Sequence, residues 1–142
     1  METGHESGCE RTVIYRLRSS GKDPVGYVSQ AGIYRLRWEK GVRIGRYESD
    51  RSGWRVMRAT RFGEKESGTI TADGEIRSPG LFEGGALGWL ERDGTVMRGG
   101  LIFAEEEVGR VEGPEAEAAA AALLLIFVPE EEEEGRDMNR RG

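Results

Sequence analysis

The feature that most constrains this chain is an apolar run near its C-terminal end. From Ala118 to Val128 every residue is apolar, and acidic residues flank the run, with Glu115 and Glu117 before it and 130–134 after it. As a helix these eleven residues rise only about 16 Å, whereas a bilayer core of roughly 30 Å needs about 20 residues. An interfacial helix needs a charged face, and the run has none. The run therefore predicts a helix that is buried on all sides by its own protein.

Prolines mark the ends of this helix. Pro114 suits the first helical position, the two glutamates that follow favour the positive end of the helix dipole, and Pro129 opposes continuation. We therefore predict a helix over about 114–128, followed by a flexible tail over 130–142 that is first acidic and then basic. Deletion of that tail is expected to leave the thermal midpoint nearly unchanged. Residues 1–10 are expected to form a flexible N-terminal tail.

The rest of the chain, from Arg11 to Gly113, has the period of β-strands. In VIYRLR, Val13, Tyr15 and Leu17 share one face and arginines the other, and IYRLRW at 33–38 repeats the pattern. Asp-Gly pairs at 73–74 and 93–94 are typical of tight hairpins. Further strands are predicted at 25–30, 42–48, 54–62, 68–71, 86–91, 95–98, 101–105 and 108–112.

Four predicted strands contain a glycine in a similar setting. The tetrapeptides VGYV, IGRY, LGWL and VGRV begin at residues 25, 44, 87 and 108. A glycine inside a strand marks a bulge, a bend or a close approach of another element, so the sheet is expected to curve around something bulky. We predict a mainly β fold in a single domain over 11–129. It is a closed antiparallel β-barrel of roughly ten to twelve strands around one buried apolar C-terminal α-helix.

The segments LIFAEEEVGRVEG, at 101–113, and PEAEAAAAALLLIFVPEEEE, at 114–133, resemble the C-terminal part of tubby-like barrels. That superfamily includes phospholipid scramblases and LURP-one-related proteins, and the likeness extends back to Tyr15 in strand count and turn placement. The resemblance implies a barrel around a hydrophobic C-terminal helix. The chain is short for that family's barrel, and it has no cysteine-rich lipidation cluster or proline-rich N-terminal arm, so scrambling activity is not expected.

Catalysis finds little basis in the sequence. The only histidine, His5, lies in the N-terminal tail, and no nucleophile elbow, phosphate loop or metal-ligand spacing is present. The lone Cys9 cannot form a disulfide or a cysteine-based metal site within one chain. We expect no enzyme activity, no cofactor and no metal. The N-terminus has no apolar segment of the secretory kind, so no secretory signal is expected. We expect a monomer in the cytoplasm, which lies peripherally at the membrane if the basic residues bind lipid.

Charge is divided unevenly along the chain. Residues 11–61 hold thirteen Lys and Arg against four acids, a net charge of +9, and residues 62–142 have a net charge of −11. Such separation creates a field across the molecule. One interpretation is a basic barrel face that binds anionic phospholipid headgroups, for which the acidic tail competes. The other is that the arginines point outward and pair with acids on neighbouring strands. The candidate residues are Arg16, Arg18, Arg35, Arg37, Arg43 and Arg46.

Two classes of function remain open at this point. The first is a non-catalytic tubby-like binding module that contacts an anionic membrane surface, or a protein partner with no lipid ligand. The second is a carrier of a small apolar ligand, which requires a lumen that the helix does not fill. Nucleic acid is not an expected partner, because the whole chain is acidic and no motif for base recognition is present.

Overall fold

A computed structural model describes residues 11–38, 40–79, 86–99 and 104–141, with side chains as far as Gly135. These residues form ten strands, which pair antiparallel in chain order and close where β1 meets β10. The predicted closed antiparallel barrel around a buried C-terminal helix is confirmed. The strands are β1 Thr12–Arg18, β2 Gly21–Ser29, β3 Gly32–Arg37, β4 Lys40–Asp50, β5 Gly53–Thr60, β6 Gly63–Thr71, β7 Glu75–Arg77, β8 Ala86–Leu90, β9 Thr95–Arg98 and β10 Glu106–Glu112.

The C-terminal helix runs through the lumen of the barrel. It consists of α1 (Ala116–Ala122), a π-helical segment (Leu123–Phe127) and α2 (Val128–Arg141). Residues 118–124 and 126–128 are buried, and they form one cluster with the inward side chains of the strands. The backbone N–H of Glu115 donates to Thr12 Oγ1 at 2.8 Å, which fixes the start of the helix to β1. We call this end of the barrel the proximal mouth. The helix leaves the barrel at the opposite end, beside the C-terminal ends of the odd-numbered strands, and we call that end the distal mouth.

The barrel is built from five hairpins that share one pattern. In each hairpin a buried β-branched residue of the odd-numbered strand lies opposite a glycine of the even-numbered strand, and the register shifts beside that pair. Such bulges bend a sheet and increase its twist, which helps ten strands to close. The pairs are Ile14–Gly26, Ile33–Gly45, Val56–Gly68, Ile76–Gly88 and Val96–Gly109.

The glycines give the helix room. A Cβ at Gly26, Gly88 or Gly109 would lie 2.6–2.7 Å from a helix side chain, those of Phe127, Leu124 and Leu123 respectively. Gly68 faces Leu125 in the same way, whereas a Cβ at Gly45 would meet only the backbone of β5. The bulky element that the glycine pattern predicts is therefore the helix itself.

The helix does not end at Pro129, and the predicted tail at 130–142 is helical as far as Arg141. Proline lacks an N–H, and its ring clashes with the carbonyl four residues earlier in an α-helix. Here the turn before it is widened, because Val128 N–H donates to the oxygen of Leu123, five residues back. A π-helical turn of this kind accommodates the proline ring, so the apolar helix and the acidic segment are continuous.

The strand predictions differ from the structure at two places. The three-residue strand β7 has no counterpart among the predictions, because so short a segment shows no period. The strand predicted at 101–105 falls partly on 101–103, which lie outside the described residues, and 104–105 are not in a strand. The predicted N-terminal tail, 1–10, also lies outside the described residues.

Candidate functional site at the distal mouth

Arginines line the distal mouth because of a short motif in the odd-numbered strands. Alternation places a residue on the lumen side two positions after each buried Ile or Val of the hairpin pattern. In four of the five hairpins that residue is an arginine, in the tripeptides IYR (twice) and VMR (twice), and in the β7–β8 hairpin it is Ser78, just after the end of β7. Odd-numbered strands all run the same way, so these arginines meet at one end. We call Arg16, Arg35, Arg58 and Arg98 the arginine collar.

The collar encloses the first acidic turn of α2. Glu130 pairs with both Arg35 and Arg58. Glu131 lies 3.1 Å from Arg16 Nε and 2.8 Å from Arg18 Nη2, and Glu132 lies 2.8 Å from Arg98 Nη1. Glu130 is 14% exposed and Arg98 13%, so salt screens these pairs less than it screens fully exposed ones. The acidic segment is therefore docked inside the mouth.

Burial and neighbouring charges shift the pKa values of two arginines at the mouth. Burial, and then the like charges of Arg58 and Arg37, lower the pKa of Arg35. The charge of Glu134 acts in the opposite direction on the pKa of Arg35, and Glu130 forms ion pairs with both Arg35 and Arg58. On the adjacent strand pair, hydrogen bonds to Asp23 and Glu131 raise the pKa of Arg18.

The structure separates the six arginines that the sequence singles out as one basic face. Arg16, Arg18 and Arg35 pair with the helix glutamates. The acidic helix therefore already occupies these three arginines, and lipid binding by them stays a prediction. Arg46 pairs with Glu48 and Glu64 on the outer surface, as the alternative interpretation predicts. Arg37 and Arg43 are exposed, and no carboxylate of the described residues lies within 4 Å of either.

Two hairpins extend beyond the distal mouth and carry exposed cations. The β4–β5 ladder ends at Gly45 and Arg58, so the remainder of the β3–β4 and β5–β6 hairpins stands free of that pairing. Five exposed cations lie on these extensions, and none has a carboxylate partner among the described residues. We call Arg37, Lys40, Arg43, Arg61 and Lys65 the cationic rim.

Each extension ends in an exposed aromatic residue. Trp38 lies in the β3–β4 turn and is 91% exposed, and Phe62 lies in the β5–β6 turn and is 93% exposed. We call these two residues the aromatic tips. Sequence analysis missed them, as it missed Arg58, Arg98 and the glutamate partners. The repeat of VMR at 56 and 96 is the signal that would have identified the two arginines.

The described residues offer no constellation typical of metal catalysis. Among them no group of three or more His, Cys, Asp or Glu residues is placed to hold a metal ion. Within the same part of the chain, no helix is long and apolar enough to cross a bilayer. No protein-family model, curated protein or solved structure matches the chain.

Proposed function

We propose that this protein is a non-catalytic, tubby-like binding module whose cationic rim contacts anionic phospholipid headgroups. The observation that supports this proposal is that five exposed cations with no ion-pair partner in the described residues lie together at one end of the barrel. Ten of the described Lys and Arg residues, among them the whole collar, are ion-paired within the protein. The rim has no such partner in the described residues, so its charge is available to an external anion.

The charges of the rim suit a membrane surface. An anionic leaflet attracts basic residues with about 1 kcal/mol for each Lys or Arg near the surface, and the attraction decays within a Debye length. Five cations on two adjacent hairpins approach such a surface together, because both hairpins point out of the same mouth. Affinity from this source is additive, steeply dependent on salt and indifferent to the details of the headgroup.

The alternative of an apolar-ligand carrier lacks a site in the described lumen. Residues 118–124 and 126–128 are buried there, with Ala119 to Leu123 fully enclosed. A guest would have to replace the helix, at the cost of the apolar contacts that join it to all the strands around it. The filled lumen therefore favours the binding module.

The experiment is co-sedimentation with vesicles of phosphatidylcholine alone or with added phosphatidylserine or phosphoinositide. We expect binding to the anionic vesicles only, and its loss as salt is raised. Arg37→Gln with Arg61→Gln should weaken binding about thirtyfold, at roughly 1 kcal/mol for each charge. Arg51→Gln with Arg92→Gln is the matched control, since both are exposed cations in turns at the proximal mouth. Absence of binding at low salt, or equal weakening by both pairs, contradicts the proposal.

A further inference from the structure

The exposure of the aromatic tips has no explanation within the described protein. Trp38 and Phe62 occupy two-residue turns, where chain reversal requires only small or polar residues. Neither side chain packs on the core, and both are more than nine-tenths exposed. Single exposed apolar residues are ordinary on protein surfaces. Two large aromatic residues at the ends of adjacent, protruding hairpins form a pattern that points to a partner.

The backbone at Trp38 adds a second, independent observation. Its φ is +53°, in the left-handed region that glycine and asparagine adopt most readily. A bulky residue at positive φ is strained, and such strain is concentrated at functional sites. The turn itself would form more easily with glycine, so turn formation does not account for a tryptophan at this position.

We infer that Trp38 and Phe62 insert into the headgroup–acyl boundary of an anionic bilayer, so that the barrel docks with its distal mouth toward the membrane. This inference rests on the proposed function and specifies how the same end of the molecule meets the lipid. Tryptophan is enriched at this boundary because its ring is apolar and its indole N–H is polar, and phenylalanine is common among the apolar anchors of interfacial segments. Arg37 directly precedes Trp38 and Arg61 directly precedes Phe62. Lys40 and Lys65 follow the tips two and three positions later, with Glu39 and Glu64 in between. The cations of both turns can meet lipid phosphates.

The charges around the tips distinguish a bilayer from a protein groove. A protein pocket that accepts an aromatic anchor is mostly apolar and excludes unpaired charge. Each tip is instead directly preceded by an arginine that has no carboxylate partner in the described residues. An aromatic residue beside an unpaired cation matches a boundary that is apolar on one side and anionic on the other.

The test uses the intact protein and phosphatidylserine vesicles with brominated acyl chains. Tryptophan emission should be quenched on binding, and the quenching should be lost in Trp38→Ala, because the other two tryptophans are in the barrel strands β5 and β8. The double variant Trp38→Ala with Phe62→Ala should bind at least tenfold more weakly, with an unchanged circular dichroism spectrum. Val42→Ala is the matched control, an exposed apolar residue on the same hairpin but away from its turn.

The outcomes separate the two proposals. Salt-dependent binding to anionic vesicles without quenching, and with the tip double variant as strong as the wild type, overturns insertion and leaves headgroup binding in place; the tips would then belong to a protein interface. No binding at low salt overturns both proposals. Quenching together with the weakened tip variant supports insertion.

Discussion

At the residue scale, the fit between the helix and the barrel wall depends on single missing side chains. On four of the five even-numbered strands the inward glycine lies against a Leu or Phe of the helix. The opposite residue on the neighbouring odd-numbered strand is always β-branched and buried. Each hairpin thus places one β-branched side chain and one glycine on the lumen side. The space beside the glycine lets a helix with large side chains pack against the barrel wall.

Replacement of one of these glycines tests that fit. In Gly109→Ala the new Cβ would meet Leu123 Cδ2 at 2.7 Å and also the carbonyl oxygen of Tyr15. Backbone cannot move aside cheaply, so we expect a loss of about 1–3 kcal/mol in the free energy of unfolding, measured by urea denaturation.

The control is Gly135→Ala in α2, where a Cβ would meet nothing within 4 Å. Alanine favours a helix over glycine, so this variant should be unchanged or more stable by about 0.5–1 kcal/mol. Equal destabilisation by the two substitutions would show that close packing of the helix does not require a glycine at 109.

At the element scale, the C-terminal helix has two parts with different roles. Its apolar part, as far as Val128, fills the lumen, and its acidic part neutralises the arginine collar. Without Glu130 to Glu132 the four collar arginines would face one another at the mouth with no helix carboxylate between them. The two parts are joined by the π-helical segment, which carries the helix past Pro129 in one direction.

Truncation at two positions separates these roles. A chain that ends at Pro129 should melt roughly 10 °C lower than the full chain, since loss of the collar's carboxylates removes several charged contacts worth about 3 kcal/mol in total. This reverses the expectation from sequence that deletion of 130–142 has little effect.

A chain that ends at Glu132 keeps every helix carboxylate that the collar contacts, and it should retain most of the midpoint of the full chain. Thermal unfolding followed by circular dichroism measures both. If both truncated chains melt at the same temperature, collar neutralisation by the acidic turn does not stabilise the barrel.

At the scale of the whole molecule, ion pairs on the outer surface make stability depend on pH. Hydrogen bonds from Arg55 and Arg46 lower the pKa of Glu48, a hydrogen bond from Arg46 lowers that of Glu64, and one from Lys22 lowers that of Glu112. A carboxyl whose folded pKa is depressed stabilises the fold above its unfolded pKa, about 4.3 for glutamate. That stability is lost as the pH falls through the folded pKa.

We therefore expect the thermal midpoint to be level from pH 7 to about 5 and to fall steadily below about pH 4. Glu64→Gln should make this fall shallower, whereas Glu133→Gln, at an exposed glutamate with no ion pair in the described part of the chain, should not. Thermal melts across the pH range measure both. An equal slope for the two variants would contradict the assignment.

The sequence predicts the architecture better than it predicts the site. An apolar run too short for a bilayer and too uniform for a surface requires enclosure, and strand alternation with internal glycines supplies the enclosing barrel. Which face of a strand points inward is a different matter. Alternation alone groups Val13 with Tyr15, but it is Ile14 and Arg16 that lie on the lumen side. An inward arginine is favourable only because the acidic part of the helix lies beside it. Pro129 predicts that the helix ends before this acidic part, so the sequence does not predict the contact.

The threaded helix also bears on how the protein is made. All ten strands are synthesised before the residues that fill their lumen, so during translation the inward Ile and Val side chains have no partner at the barrel axis. Domains normally fold as their segments emerge from the ribosome. Here the ten strands cannot complete their core until the C-terminal helix has also been synthesised. A chain interrupted before Ala118 carries every strand but lacks the helix that fills the lumen, so its inward apolar side chains and unpaired strand edges favour aggregation. Synthesis of the helix is thus the step that commits the chain to its fold, and interrupted chains are left as substrates for chaperones and proteases.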